Sequence, residues 1–132
     1  MVFDKDLIGA WRLLAHYYLD DDGTVAEGPM GDKADGILIY HADGYMAASL
    51  MRTEPATDGA TYLGSADDYL GYSGSWSLRA GEVVHNVVIG SHARVVNTEQ
   101  VREVTLAEGV LSLRRRLDGP HDWVVMDWQR TG

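Results

Sequence analysis

The amino-acid sequence predicts an all-β protein, a single antiparallel up-and-down β-barrel of about eight strands formed by residues 1–132 as one domain. Three observations carry this expectation. Turn signals recur at short intervals, at Asp20-Asp21-Asp22-Gly23, Ala42-Asp43-Gly44, Ala80-Gly81, Glu108-Gly109 and Asp118-Gly119-Pro120. Gly and Asp take the positive-φ or self-bonded conformations that tight hairpins require, so each of these turns has a mechanism. The segments between them are rich in Val, Ile, Leu, Tyr and Trp, and several alternate apolar with polar residues as half-buried strands do. No long helical pattern intervenes, so the meander can close on itself and remove the edges that invite aggregation.

The first strand is expected at 10–19, before the Asp-rich turn. Residues 26–35 hold Gly28, Pro29 and Gly31 among polar neighbours, which suits a loop at one mouth of the barrel. Strands follow at 36–41 and 45–51. Residues 52–71 interrupt the meander with Pro55 and Asp58-Gly59, and Ser65 ahead of Asp67 and Asp68 suits a helix N-terminus, where side-chain oxygen and negative charge stabilise free amides. A short helical lid is expected there, with a loose connector as the alternative. The remaining strands are expected at 72–79, 82–91, 98–106, 110–116 and 123–130.

Composition narrows the function. A chain that is 45% hydrophobic and 23% charged is ordinary for a globular protein, which argues against disorder over most of its length. Twenty acidic against 11 basic residues leave a formal charge of -9, so the mean surface potential opposes nucleic acid and anionic membrane, and neither is expected as a partner. The run Arg114-Arg115-Arg116 alternates along a strand, which sends its members to opposite faces; it reads mostly as solvated surface. With no cysteine, disulfides, thiolate nucleophiles and thiolate metal sites are excluded. The N-terminus lacks the basic segment and apolar run of a secretory signal, and no apolar stretch approaches membrane-spanning length. A cytoplasmic protein, monomeric or a simple homo-oligomer, is therefore expected.

Gly9-Ala10-Trp11 falls at the start of the first strand, where lipocalins carry Gly-x-Trp, and Arg130 ends the last strand, where an arginine packs over that tryptophan. An indole there plugs the closed end and a guanidinium covers its face. The chain resembles the bacterial and fungal lipocalin-like domain family over nearly its whole length. Gly9-Ala10-Trp11-Arg12-Leu13-Leu14, Gly36-Ile37-Leu38-Ile39-Tyr40, Asp43-Gly44-Tyr45-Met46, Tyr72-Ser73-Gly74, Val84-His85 and Thr98-Glu99-Gln100-Val101-Arg102 are similar to its motifs. Residues 91–97 depart from the family's pattern at one barrel mouth. The resemblance implies a lipocalin-like barrel with a ligand cavity. Such barrels include carriers, and related small barrels include cofactor-free cyclases and isomerases, so fold alone does not choose between them.

Residues two apart on a strand share a face, so Gln100 and Arg102 are expected together with Val104 and Leu106, facing inward. A buried arginine is costly unless paired, so Arg102 either orients an enolate, carboxylate or carbonyl or serves as an internal brace to an acid or a backbone carbonyl. His85 alternates with Val83 and Val87 and is the leading candidate for proton transfer, with a hydrogen-bonded core histidine as the alternative. Tyr72, sharing a strand face with Trp76, is the third candidate catalytic group. Gln100, Trp76, Tyr45, Tyr69, Tyr17 and Met126 are candidate ligand contacts, with simple barrel packing as the alternative for most of the aromatics. His16, His41, His92 and His121 show no ligand spacing, so no metal and no cofactor are expected.

The leading expectation is a barrel that encloses a hydrophobic, oxygen-bearing metabolite and performs a cofactor-free cyclisation or isomerisation of secondary, polyketide-like metabolism, with His85, Arg102 and Tyr72 polarising a substrate held folded. The alternative is a non-catalytic carrier using the same cavity.

Overall fold

The computed structural model describes residues 1–53 and 68–131. After a helical turn α1 (Asp4–Leu7) come nine strands: β1 (Gly9–Leu19), β2 (Val25–Glu27), β3 (Asp35–Tyr40), β4 (Tyr45–Met51), β5 (Tyr69–Arg79), β6 (Glu82–Gly90), β7 (Glu99–Ala107), β8 (Val110–Arg116) and β9 (Trp123–Arg130). Eight of them pair antiparallel in the order β1-β3-β4-β5-β6-β7-β8-β9, and β9 returns to β1, so the sheet is a closed barrel. All eight strands expected from the turn signals are present. The ninth, β2, is a short ribbon on the far end of β1, where Tyr17–Leu19 pair with Val25–Glu27. Its Ala26 and Glu27 were expected in the loop 26–35 and are strand instead, because the Asp20–Gly23 turn is tight enough to fold the chain straight back.

β5 begins at Tyr69, so residues 69–71 are strand rather than the end of a lid; Leu50 and Met51 of β4 pair with them. The rest of the expected lid, 54–67, lies outside the described residues.

The two ends of the barrel are built differently. At one end β3–β4, β5–β6 and β7–β8 are joined by tight turns. Ala80 and Gly81, like Glu108 and Gly109, both have positive φ, the backbone that matches strand twist in a two-residue hairpin. The same end is plugged from below. The Trp11 indole donates to Leu7 O (2.8 Å), and the Arg130 guanidinium lies 4.3 Å from the indole centroid while donating to Ile8 O (2.6 Å) and Asp6 O (2.7 Å). Gly9 is required here: its φ is +131°, and a Cβ would sit 2.6 Å from the Arg130 guanidinium. The opposite end carries the long connections between β2 and β3, β4 and β5, β6 and β7, and β8 and β9.

The core lies on the closed half of the barrel and includes Leu38, Tyr40, Met46, Val83, Val104, Leu111, Leu113 and Trp128. Strand alternation places these residues inward with few exceptions. One exception matters for function: β1 pairs Leu13 with Trp128 but Ala15 with Asp127, so Leu14 is the extra residue of a bulge. Beyond it the inward parity flips. His16 now shares a face with Met126, and Tyr17 turns outward to donate to Asp127 Oδ2 (2.9 Å).

Candidate ligand site

The inside of the barrel above the core holds two cavities. The deeper, of about 50 Å³, is bordered by Leu38, Leu113 and Trp128 and by the polar groups of Tyr72, His85, Gln100 and Arg102. The larger, of about 270 Å³, lies toward the open end, with Pro29, Met30, Leu50, Leu70, Val124 and Met126 as its apolar wall. Leu50, Leu70, Met126 and Arg102 border both, so Arg102 stands at their junction.

His85 is 2% exposed and its two ring nitrogens are both taken, Nε2 by the Tyr40 hydroxyl (2.6 Å) and Nδ1 by the Tyr72 hydroxyl (2.7 Å). Burial lowers its pKa to about 3, aided by the nearby Arg102 charge, so the ring is neutral and carries one proton. Burial likewise raises both tyrosines, Tyr40 well above the ordinary phenol range, so they keep their protons. The hydrogen-bond network assigns the tautomer. If Nε2 carried the proton, the Tyr40 O–H would be left in the core with no acceptor, a loss of about 1–3 kcal/mol. Tyr40 therefore donates to Nε2, Nδ1–H donates to Tyr72, and the Tyr72 O–H remains free to donate into the inner cavity.

Arg102 projects inward from β7, as two-residue alternation with Gln100 and Val104 predicts. It donates to Gln100 Oε1 (3.2 Å) and Val101 O (2.8 Å), and Gln100 is itself held by Thr98 (2.8 Å). Its Nε is buried with no hydrogen-bond partner among the described residues. Burial and the neighbouring Arg115 both lower its pKa, while Tyr72 and Tyr40 oppose the shift. The pairing of Glu103 with Arg114 sets Arg102 beside Arg115 across β7 and β8.

Of the residues anticipated from sequence, the barrel brings together His85, Tyr72, Gln100, Arg102 and Met126. Others are placed elsewhere. Tyr45 is 64% exposed on the outer surface, because β4 buries Met46, Ala48 and Leu50 and thereby turns Tyr45 outward. Tyr17 is outward through the β1 bulge, and burial against Asp127 pushes its pKa up to about 12. Trp76 faces inward but packs on Tyr40 (centroids 4.7 Å apart) and donates to His41 O (3.0 Å), so it belongs to the packed core and not to a cavity wall. Tyr69 sits at the rim, bordering the larger cavity and an outer groove on β3 and β4, with its hydroxyl donating to Ser49 (3.3 Å).

Tyr40, His16 and Arg94 join the site without having been selected from sequence, as does Arg115, which was read mostly as solvated surface. Tyr40 was legible in principle, since β3 alternates Gly36, Leu38 and Tyr40 on its buried face. His16 had no signal, because the bulge that turns it inward leaves no mark in the sequence. Its Nδ1 is buried without a hydrogen-bond partner among the described residues, and burial lowers its pKa to about 4. Among the described residues, no group of three or more His, Asp or Glu is placed to hold a metal ion.

Residues 8–130 match a family model described as a lipocalin-like domain. The chain belongs to the lipocalin-like domain family. A lipocalin-like barrel suggests binding of a small hydrophobic ligand, and the two cavities lie where such a ligand would be enclosed. No curated protein matches the chain. A solved structure of a redesigned β-barrel is 10% identical, covering 98% of this chain and 95% of its own, with a TM-score of 0.48.

Proposed function

We propose that this lipocalin-like barrel binds a hydrophobic, oxygen-bearing small molecule in the cavity at its open end. The observation that carries the proposal is Arg102, whose buried Nε has no partner at the junction of two cavities with largely apolar walls. An unpaired guanidinium nitrogen in such a place is costly unless a ligand acceptor meets it. By the tautomer assigned above, Tyr72 offers its O–H to the same space, so Arg102 and Tyr72 both present donors, which suits a carbonyl, enolate or carboxylate oxygen.

Carriage is the form of this function that the geometry favours, because His85 has no free nitrogen with which to take a substrate proton. Its role is to position the Tyr72 hydroxyl. A second reading, cofactor-free proton transfer as in an isomerase or cyclase, is favoured by His16, a neutral imidazole bordering the same cavity as Arg102 and Arg115. There a base and an oxyanion-stabilising guanidinium would share one substrate held folded.

Native mass spectrometry separates these outcomes. Protein incubated with an extract of its own cells is expected to retain a small apolar species, which is then released and compared by mass and retention with what was loaded. Release unchanged supports carriage, release as an isomer supports proton transfer, and no retained species overturns the proposal.

A further inference from the structure

The cavity at the open end has an electrostatic character opposite to that of the molecule around it. The chain carries 20 acidic residues against 11 basic ones. Yet the ionisable groups that border this cavity, among the described residues, are Arg94, Arg102, Arg115, His16, His92 and Tyr69, with no carboxylate. Among the described residues, this concave wall gathers guanidinium and imidazole groups in a molecule whose ionisable residues are mostly Asp and Glu, and that concentration of positive charge calls for a physical reason.

The run Arg114-Arg115-Arg116 shows the contrast residue by residue. Arg114 faces outward, donates to Glu103 (3.2 Å) and lies 4.0 Å from the Trp123 ring centroid. Arg116 also faces outward, lies 5.0 Å from the same ring centroid and holds Asp21 through two hydrogen bonds of 2.8 Å. Arg115, between them, pairs in register with Val124 and turns toward the cavity, where the charge it meets is the guanidinium of Arg102. Arg94 reaches the same wall from a 3-10 turn, Ala93–Val95, within the segment that departs from the family pattern.

Two guanidiniums side by side without a counter-ion repel, and in a partly desolvated wall that repulsion is stronger than in water. Such a pair is stabilised when an anion sits between them, and arginine's planar fork matches the oxygens of a carboxylate. We propose that the barrel selects a hydrophobic organic carboxylate, its carboxylate bound between Arg102 and Arg115 with Arg94 at the rim, and its apolar body against Leu50, Leu70, Val124 and Met126. This rests on the binding function proposed above and adds the charge class of the ligand. The cluster makes the cavity a local positive site that draws anions against a net negative background.

The test uses three probes of one shape: 2-naphthoate, its neutral isostere 2-naphthamide, and 2-naphthylmethylamine, titrated calorimetrically into the full chain. Naphthoate is expected to bind at least tenfold more tightly than the amide, with the amine weakest. Arg115→Gln, an exposed change that leaves the core intact, is expected to weaken naphthoate at least fivefold and to leave the amide within twofold. Arg102→Met is expected to weaken naphthoate more strongly than Arg115→Gln does, with its fold verified by thermal melting. Equal or tighter binding of the amide overturns the charge assignment while leaving the binding function standing, as does an Arg115→Gln variant with unchanged naphthoate affinity. Failure of all three probes to bind overturns the carboxylate assignment together with the cavity's proposed function.

Discussion

The closed and open ends of this barrel each use arginine, and they use it in opposite ways. At the closed end Arg130 covers Trp11, and both terminal nitrogens are spent on backbone carbonyls of the α1 segment. At the open end Arg102 is braced, among the described residues, by Gln100 and its neighbour's carbonyl with no partner for its Nε, and the cation beside it is another arginine. A side chain whose terminal nitrogens are both engaged by its own fold contributes stability. One left partly unmet is available to something that binds. The comparison predicts that changes at the closed end act on folding and that changes at the open end act on ligand.

The largest expected effect is at the plug. Trp11→Ala removes an indole that is almost wholly buried, its bond to Leu7 and the surface under Arg130, and is expected to cost about 3–5 kcal/mol in urea denaturation. A loss below about 1 kcal/mol would show that the closed end is not what holds the barrel together.

His85 stands between the two ends and supplies a pH signature. Its folded pKa of about 3 lies below the ordinary histidine value of 6.5, so below that pH the unfolded chain takes up a proton that the folded chain refuses. Stability is fully present above about pH 6.5 and falls as pH drops toward 3, by up to about 1.4 kcal/mol per pH unit from this residue. His16 adds to the same fall down to about pH 4. In His85→Gln the slope between pH 6 and 4.5 is expected to shrink by close to one proton. An unchanged slope would mean that the Tyr40-His85-Tyr72 chain is not closed to solvent.

At the open end, Arg102→Met is expected to leave stability within about 1 kcal/mol of the parent or to raise it. It removes a desolvated charge whose partners do not repay its burial, and it adds apolar surface to a wall already containing Leu50 and Met126. Severe destabilisation on urea titration would make Arg102 a structural brace and erase the contrast with Arg130.

How much of this was legible depended on whether alternation ran uninterrupted. Gln100 and Arg102 sit on a strand with no register break, so a period of two was enough to place both inside. The Gly9, Trp11 and Arg130 plug was legible through its resemblance to a family motif, and the structure supplies the physical reason, since Gly9 has a φ of +131° and a Cβ there would sit 2.6 Å from the Arg130 guanidinium. Tyr17 and His16 were exchanged by one bulged residue, Leu14, which is an ordinary apolar residue with nothing to announce a register shift. Arg115 was legible as a residue facing away from its two neighbours. That its side was the inner one depended on how β8 pairs with β9. Of the hydrogen bonds that occupy His85, the one to Tyr72 lies within the β5–β6 hairpin, whereas the one to Tyr40 comes from β3, 45 residues away, and no local pattern encodes it.

The smallest expected effect isolates the closed end without touching its packing. Ala80 has a φ of +46° in the hairpin between β5 and β6, a conformation that costs an alanine about 1–2 kcal/mol because its Cβ crowds the following carbonyl. Asparagine tolerates this backbone, and Asn-Gly is the preferred pair for such a turn, while glycine would return part of the gain as unfolded-chain entropy. Ala80→Asn is therefore expected to raise stability by about 0.5–1 kcal/mol, read as a higher urea midpoint with an unchanged slope. Because the turn lies at the opposite end from Arg94, Arg102 and Arg115, the affinity for 2-naphthoate is expected to stay within twofold of the parent. A gain in stability accompanied by a change in affinity would mean that the two ends are mechanically coupled through the strands, and that the division of labour between their arginines is incomplete.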